Sequence, residues 1–461
     1  MAIGLLKRRQ VDMVNGHLFF KILTYAVPII LTGVLQLLFN AADLIIVGRF
    51  GTSGSNSVAA VGATSSLTNL MINFFIGFSS GGGVAVAQAI GAKNDEKTSK
   101  TVHTVVLLSV IAGVIVSIIG LVASGPMLKL MSTPKEIIGL SSLYMKIIFS
   151  GMVFNMVYNF GAAILRAAGD TTRPLTYLLI AGVLNVVLNI FFITVLNMDV
   201  AGVALATIIS QALSCILVLS ALARRTDACK LSIKKIHIHK APLQKILSVG
   251  LPAGLQSTLF GISNVIIQSS INSLSYLNGL MAGSAAASNI DAFVYTIINS
   301  FYQASLNFTG QNVGAKKYDR VKKVFLYSLF WSAVLGFVSG FGTYFFNEPL
   351  LSLYITDSPD AIKWGAVRMF YIGVPYFICG MMEVATGCLR GMGVSLAPMI
   401  ISVLGVCGIR LTWIFTIFQI DKYHTPQILL SSYAVSWIIT FSVEAIVFLV
   451  LLRKRTKLNK H

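Results

Sequence analysis

The chain has 461 residues, of which 56% are hydrophobic and only 11% charged, whereas a soluble domain carries about 25% charged residues. That deficit excludes an ordinary water-facing globule. The formal net charge of +19 does not make a nucleic-acid surface either, because the basic residues fall between hydrophobic spans and not along one amphipathic face.

The basic cluster Lys7, Arg8 and Arg9 precedes a long apolar run without a small-residue cleavage site. The run therefore reads as a first membrane helix and not as a removed signal peptide. Apolar segments long enough to span a bilayer core, about 20 residues, fall at 18–47, 56–90, 101–124, 140–165, 174–196, 200–222, 246–272, 280–312, 323–346, 364–389, 396–419 and 428–452. Their continuous apolar character excludes a β-barrel, whose strands would alternate. The expectation is an all-α membrane protein of about twelve transmembrane helices. The cysteines (Cys215, Cys229, Cys379, Cys388 and Cys407) have neither zinc nor redox spacing and read as small apolar residues.

Loop charges orient the helices. With the first residues cytoplasmic, the cytoplasmic loops hold 27 Lys and Arg, Arg390 among them, against 5 in the outer loops. That bias predicts both termini in the cytoplasm, which an even number of helices satisfies. The basic loops should also draw anionic lipid.

The chain repeats itself. KILTYAVP at 21–28 returns as KILSVGLP at 245–252, AQAIGAK at 87–93 as GQNVGAK at 310–316, and LRAAGDTTRP at 165–174 as LRGMGVSLAP at 389–398. Six helices per unit give both halves the same orientation, related by a pseudo-two-fold axis along the membrane normal. The predicted organisation is an N-terminal lobe over 1–222, a basic cytoplasmic linker over 223–245, and a C-terminal lobe with its tail over 246–461. A duplicated bundle of this kind binds cargo between its lobes and exposes it by rocking them. No Walker motif and no nucleophile–base constellation point to an enzyme.

Charge inside a membrane needs a reason. Lys146 and Arg368 lie near the outer starts of their helices and can snorkel. Glu444 can pair with Arg453 two turns on. Asp43 is the strongest candidate for chemistry, with Gln36 two turns earlier. At about 1.5 Å per residue Asp43 lies roughly 33 Å above Lys21, and Asn185 and Asn189 of helix 5 reach roughly 24 and 30 Å. A carboxylate facing two amides can hold a proton or sodium ion, or can simply tie two helices together. Pro28 removes a backbone hydrogen bond and permits a hinge in helix 1. Glu383, beside Met382, suits an adaptable wall for organic cations. Arg410 and Asp291 are further candidates for the substrate site. The Gly81–Gly83 run reads as a close-packing point.

These residues carry a resemblance. Pro28, Gln36, Asp43 and Gly48, spaced P-x7-Q-x6-D-x4-G, resemble the first-helix signature of the multidrug and toxic compound extrusion (MATE) family. The GAK blocks, the LRAAGDTTRP block and the Asn185/Asn189 pair resemble it too. The resemblance implies an antiporter in the cytoplasmic (inner) membrane that exports cationic or amphipathic small molecules in exchange for protons or sodium. It implies ion coupling at Asp43, Asn185 and Asn189. No cofactor, no resident metal and no nucleic-acid partner are expected, and the chain is expected to be a monomer in membrane lipid. Two positions depart from relatives. Asn189 stands where some carry an acid, and Phe260 stands where others carry an acid in helix 7. The competing expectation is a flippase for a lipid-linked oligosaccharide, which needs a cationic cavity. A major-facilitator transporter is disfavoured because the loop after helix 2 reads GAKNDEKTSK.

Overall fold

The computed structural model describes residues 10–51, 55–131, 133–274, 276–356 and 358–459. Among them there is no strand. Twelve helical spans follow in chain order: α1 (Leu18–Phe50), α2 (Ser55–Gly91), α3 (Asp95–Leu130), α4 (Lys135–Ser150 and Met152–Ala167), α5 (Thr172–Val195), α6 (Asp199–Ala223), α7 (Lys240–Asn272), α8 (Leu280–Gly314), α9 (Tyr318–Phe345), α10 (Pro359–Gly391), α11 (Leu396–Gln419) and α12 (Pro426–Leu458). Ten are long and apolar enough to cross a membrane, and α4, bent by 47°, adds an eleventh. The 35-residue α8 is also long enough, but it carries many buried serines, asparagines and threonines on its inner side. The expected all-α architecture of about twelve helices is observed.

The helices form two compact units. One holds Gln10, Val11 and residues 31–250; the other holds 12–30 and 251–459. The division falls inside α1 and α7, two residues after Pro28 and one before Pro252. In the first unit Met145, Phe149, Met152 and Phe160 of α4 pack with Val105 of α3 and Phe78 of α2. The bend of α4 is seated by Gly151, where a Cβ would lie 2.4 Å from Ile208 of α6. Gly81 packs α2 onto the first turns of α7, where a Cβ would lie 2.4 Å from the Ile246 carbonyl oxygen.

In the second unit Ile298, Ile372, Met382, Tyr433 and Trp437 form the apolar core of α8, α10 and α12. The segment before α1 is strapped down in this unit. Asn312 Nδ2 donates to the Met13 carbonyl at 2.9 Å, Arg320 to Gly16 at 3.0 Å, and Lys317 to Asn15 at 3.0 Å.

The sequence repeat is a backbone repeat as well. Lys93 and Lys316, at equivalent places, have φ of 52° and 56°. Gly169 and Gly393 close the two LR turns at φ of 86° and 82°. Each turn makes the same bonds: Asp170 N–H to the Leu165 carbonyl at 2.9 Å, and Val394 N–H to the Leu389 carbonyl at 3.0 Å. A left-handed glycine at a helix end satisfies carbonyls that the helix leaves open. The same solution at matching places sets α5 and α11 off from the helices before them in the same way.

Candidate functional site

In the first unit, Asn189 donates from Nδ2 to Asp43 Oδ1 at 2.5 Å and to Asn185 Oδ1 at 3.3 Å. Asn185 in turn donates to Thr207 Oγ1 on α6 at 3.4 Å. The carboxylate fixes the sense of the Asn189 amide, since the oxygen facing it would repel. The amide oxygen Asn189 Oδ1 is then buried with no hydrogen-bond partner among the described residues. A carboxylate and a buried, orphaned amide oxygen on two adjoining helices are hard oxygen donors of the kind that suit a proton or an alkali cation.

Packing sets this geometry. Asn185 and Asn189 share one face of α5 because they are four apart. Gly182, one turn before Asn185, leaves room for Phe39 of α1: a Cβ there would sit 1.9 Å from the Phe39 ring. That close approach pulls α1 against α5 one turn below Asp43. Above it, Ile46 and Val47 of α1 join Ile193, Val200 and Val203 in an apolar cluster. Just after Asn189, α5 changes to a π-helical turn at Phe191–Val195, an irregularity that clusters at functional sites. Sequence reading found the polar trio but not Gly182 or Thr207.

The second unit has its own polar centre. Glu383 of α10 is only 7% exposed and makes no hydrogen bond to a described residue. Its nearby cation is Arg390, two turns later on the same helix. Arg390 is buried and donates to Tyr302 Oη at 2.6 Å and Gln256 Oε1 at 2.7 Å. The sequence count placed Arg390 in a cytoplasmic loop; the structure corrects this, because the last turn of α10 lies inside the unit. Glu444 of α12 is also corrected. Its carboxylate accepts from Ser402 at 2.7 Å and from Thr386 at 2.8 Å, not from Arg453.

The MatE family model matches this chain twice, over residues 28–191 and 252–416. The chain belongs to the MatE family. The two matches start 224 residues apart, the offset of the internal repeat, so each half is one copy of the family unit. The probable multidrug resistance protein YoeA of Bacillus subtilis is 28% identical over 86% of either chain. Another from that organism, the probable multidrug resistance protein YpnP, is 26% identical over 87% of this chain and 88% of its own. A solved outward-facing multidrug resistance MATE family transporter of the MOP superfamily shares the fold, with a TM-score of 0.86 and 22% identity over 98% of this chain and 99% of that one. As a MatE protein the chain is a multi-pass membrane transporter and not an enzyme.

The remaining predicted residues of this MatE protein fall apart into separate settings. Arg368 does not snorkel. It is buried and pairs with Asp291 of α8 at 3.3 Å, with a further hydrogen bond to Ser284 at 3.1 Å. Asp291 is thereby held by a cation inside the second unit. Arg410 does not meet Glu383. It donates to Ser436 at 3.0 Å and lies 3.8 Å over the Tyr433 ring, a cation–π seat reinforced by Trp437. Met382 is fully buried in the apolar core. Gln36 is exposed and takes no part in the Asp43 network. Pro28 lies within α1, which continues through it as a helix.

Proposed function

We propose that this transporter exports cationic or amphipathic small molecules, drugs among them, across the cytoplasmic membrane in exchange for protons or sodium ions, by alternating access. The observation that carries the reading is the Asp43–Asn189–Asn185 network. A carboxylate bridged to α5 by one amide can exchange a bound cation or proton, and binding alters the contact between α1 and α5 directly. The names of the relatives support drug export, and the excess of Lys and Arg in one set of loops supports cytoplasmic termini.

Glu383 supplies the cargo contact in this scheme. It is a buried acid that makes no hydrogen bond to a described residue, with Arg390 two turns away as its neighbouring cation, and an organic cation could bind against its free carboxylate oxygens. Pro28 serves as the hinge, since α1 changes unit beside it. The test is ethidium efflux from proteoliposomes carrying an imposed proton gradient or an imposed sodium gradient, applied separately. Efflux driven by one gradient identifies the coupling ion. Efflux under neither would discard the antiport reading and favour the lipid-linked oligosaccharide flippase.

A further inference from the structure

The connection between α6 and α7 folds back over the start of α3 and leaves a groove of about 690 Å³ within the first unit. Its walls include Lys100, Lys230, Lys234, Lys235, His237 and His239, together with the acids Asp95, Glu96 and Asp227. The acids are largely spent on local pairs. Glu96 holds Lys100 at 2.5 Å, and Asp227 holds Arg225, with Arg225 Nε donating at 2.8 Å. Three lysines then face the groove against Asp95 alone. The His237 and His239 rings stand edge to face at 5.2 Å, and neither makes a hydrogen bond to a described residue.

The groove is built, not a chance fold of a loop. His103 is buried in α3, with Nδ1 2.7 Å from the Ser99 carbonyl, while Nε2 accepts the Ser232 N–H at 3.0 Å. One helical turn is thus tied to the connection through a single ring tautomer. Thr104 accepts the His239 N–H at 3.1 Å and so fixes the other end. The local field is positive: slight burial and the neighbouring His237, Lys100 and His103 lower the His239 pKa. An anion is the matching ligand.

Its source is indicated by the tip of the connection. Ile233 is 86% exposed and is followed directly by Lys234 and Lys235. An isoleucine beside two lysines, level with the start of the apolar run of α3, has the character of an interfacial anchor. A soluble anion site gives no reason for it. We propose that this groove binds the phosphate headgroup of an anionic phospholipid, with Ile233 set among the acyl chains beside it. The reading of the termini as cytoplasmic decides only which leaflet supplies the lipid.

The test uses the full chain in non-ionic detergent, titrated with dioctanoyl phosphatidylglycerol, dioctanoyl phosphatidylcholine or inorganic phosphate. Such binding reads neither transport nor orientation, so it can fail while antiport stands, and the reverse. An exposed lysine paired with the phosphate contributes up to about 1 kcal/mol, a factor of about five in affinity. The triple variant Lys230→Ala, Lys234→Ala, Lys235→Ala should therefore bind phosphatidylglycerol roughly a hundredfold more weakly. All three side chains are exposed, and an unchanged melting temperature without lipid will show the fold intact. Ile233→Ser should weaken phosphatidylglycerol binding and leave the response to inorganic phosphate unchanged. Equal binding of phosphatidylcholine, equal binding by the triple variant, or inorganic phosphate matching phosphatidylglycerol would each overturn the proposal.

Discussion

Replacing Asp43 by asparagine separates the charge of the first-unit site from its shape. The amide has nearly the same volume, and its oxygen can still accept from Asn189 Nδ2, which now stands 2.5 Å from Asp43 Oδ1. Only the difference between a charge-assisted and a neutral hydrogen bond is lost, about 1 kcal/mol, so the variant should fold and insert. Transport should respond differently. A tenfold ion gradient is worth about 1.4 kcal/mol per ion exchanged, enough, at one ion per cargo molecule, to sustain at most about a tenfold accumulation of cargo. Without an exchangeable charge at position 43 that ratio should collapse to about one. Asn189→Ala should have an intermediate effect. A hydrogen bond to a charged group contributes about 1.5–3 kcal/mol, so the ion concentration for half-maximal transport should shift roughly ten- to a hundredfold. The assay is ethidium accumulation in proteoliposomes under an imposed tenfold gradient. Gradient-driven accumulation at the parental level by a correctly inserted Asp43→Asn protein would refute the reasoning.

Gly182→Ala should disturb the same site from behind. The added methyl meets the Phe39 ring, an overpacking strain of about 1–3 kcal/mol, and a smaller residue at 39 should restore transport in the double variant. Glu383→Gln should slow export of organic cations more than export of neutral dyes of the same size, as read by competition in the same vesicles; equal loss would remove Glu383 from charge recognition. Arg368→Met should cost about 3–5 kcal/mol by thermal denaturation, because it strands Asp291 without its cation, and Asp291→Asn in the same chain should recover most of that loss. Asp227 provides the pH test. Burial opposes its charge, but the Arg225 hydrogen bond and charge outweigh it, so its folded pKa lies below the ordinary value. Its contribution is therefore complete above the unfolded carboxylate value of about 3.9 and disappears as pH falls through the lower folded value. The melting-temperature gap between Asp227→Asn and parent should be present at neutral pH and close in acid.

Some of this was legible in the sequence, for a simple physical reason. A helix rises by a fixed amount per residue, so depth in the membrane can be counted along the chain. Asp43 and Asn189 come to about one level by that count, and the hydrogen bond joins them. Rotation about the helix axis and contact with a distant helix cannot be counted in this way. Arg368 lies at the right height to snorkel, yet it turns inward because Asp291 and Ser284 are there to receive it. Arg390 lies at the right place for a loop, yet Gln256 and Tyr302 draw it in. Glycines are so common in membrane helices that Gly182 carries no signal until Phe39 is seen against it.

The two halves show where such partners were placed. At the LR turns the repeat keeps the glycine φ, the hydrogen bonds and the helix that follows. The inner-facing polar positions differ. Opposite Asp43 lies Ile267, fully buried in apolar packing, and opposite Glu383 lies Asn159, whose side chain bonds, among the described residues, to Asn155 one turn away. The turns set the direction of the helix that follows each of them, so a change there moves a whole helix. A polar residue inside one unit can change without rewinding the rest. The proposed ion coupling in the first unit, with cargo recognition shared with the second, is a division of labour that such a duplicated frame allows.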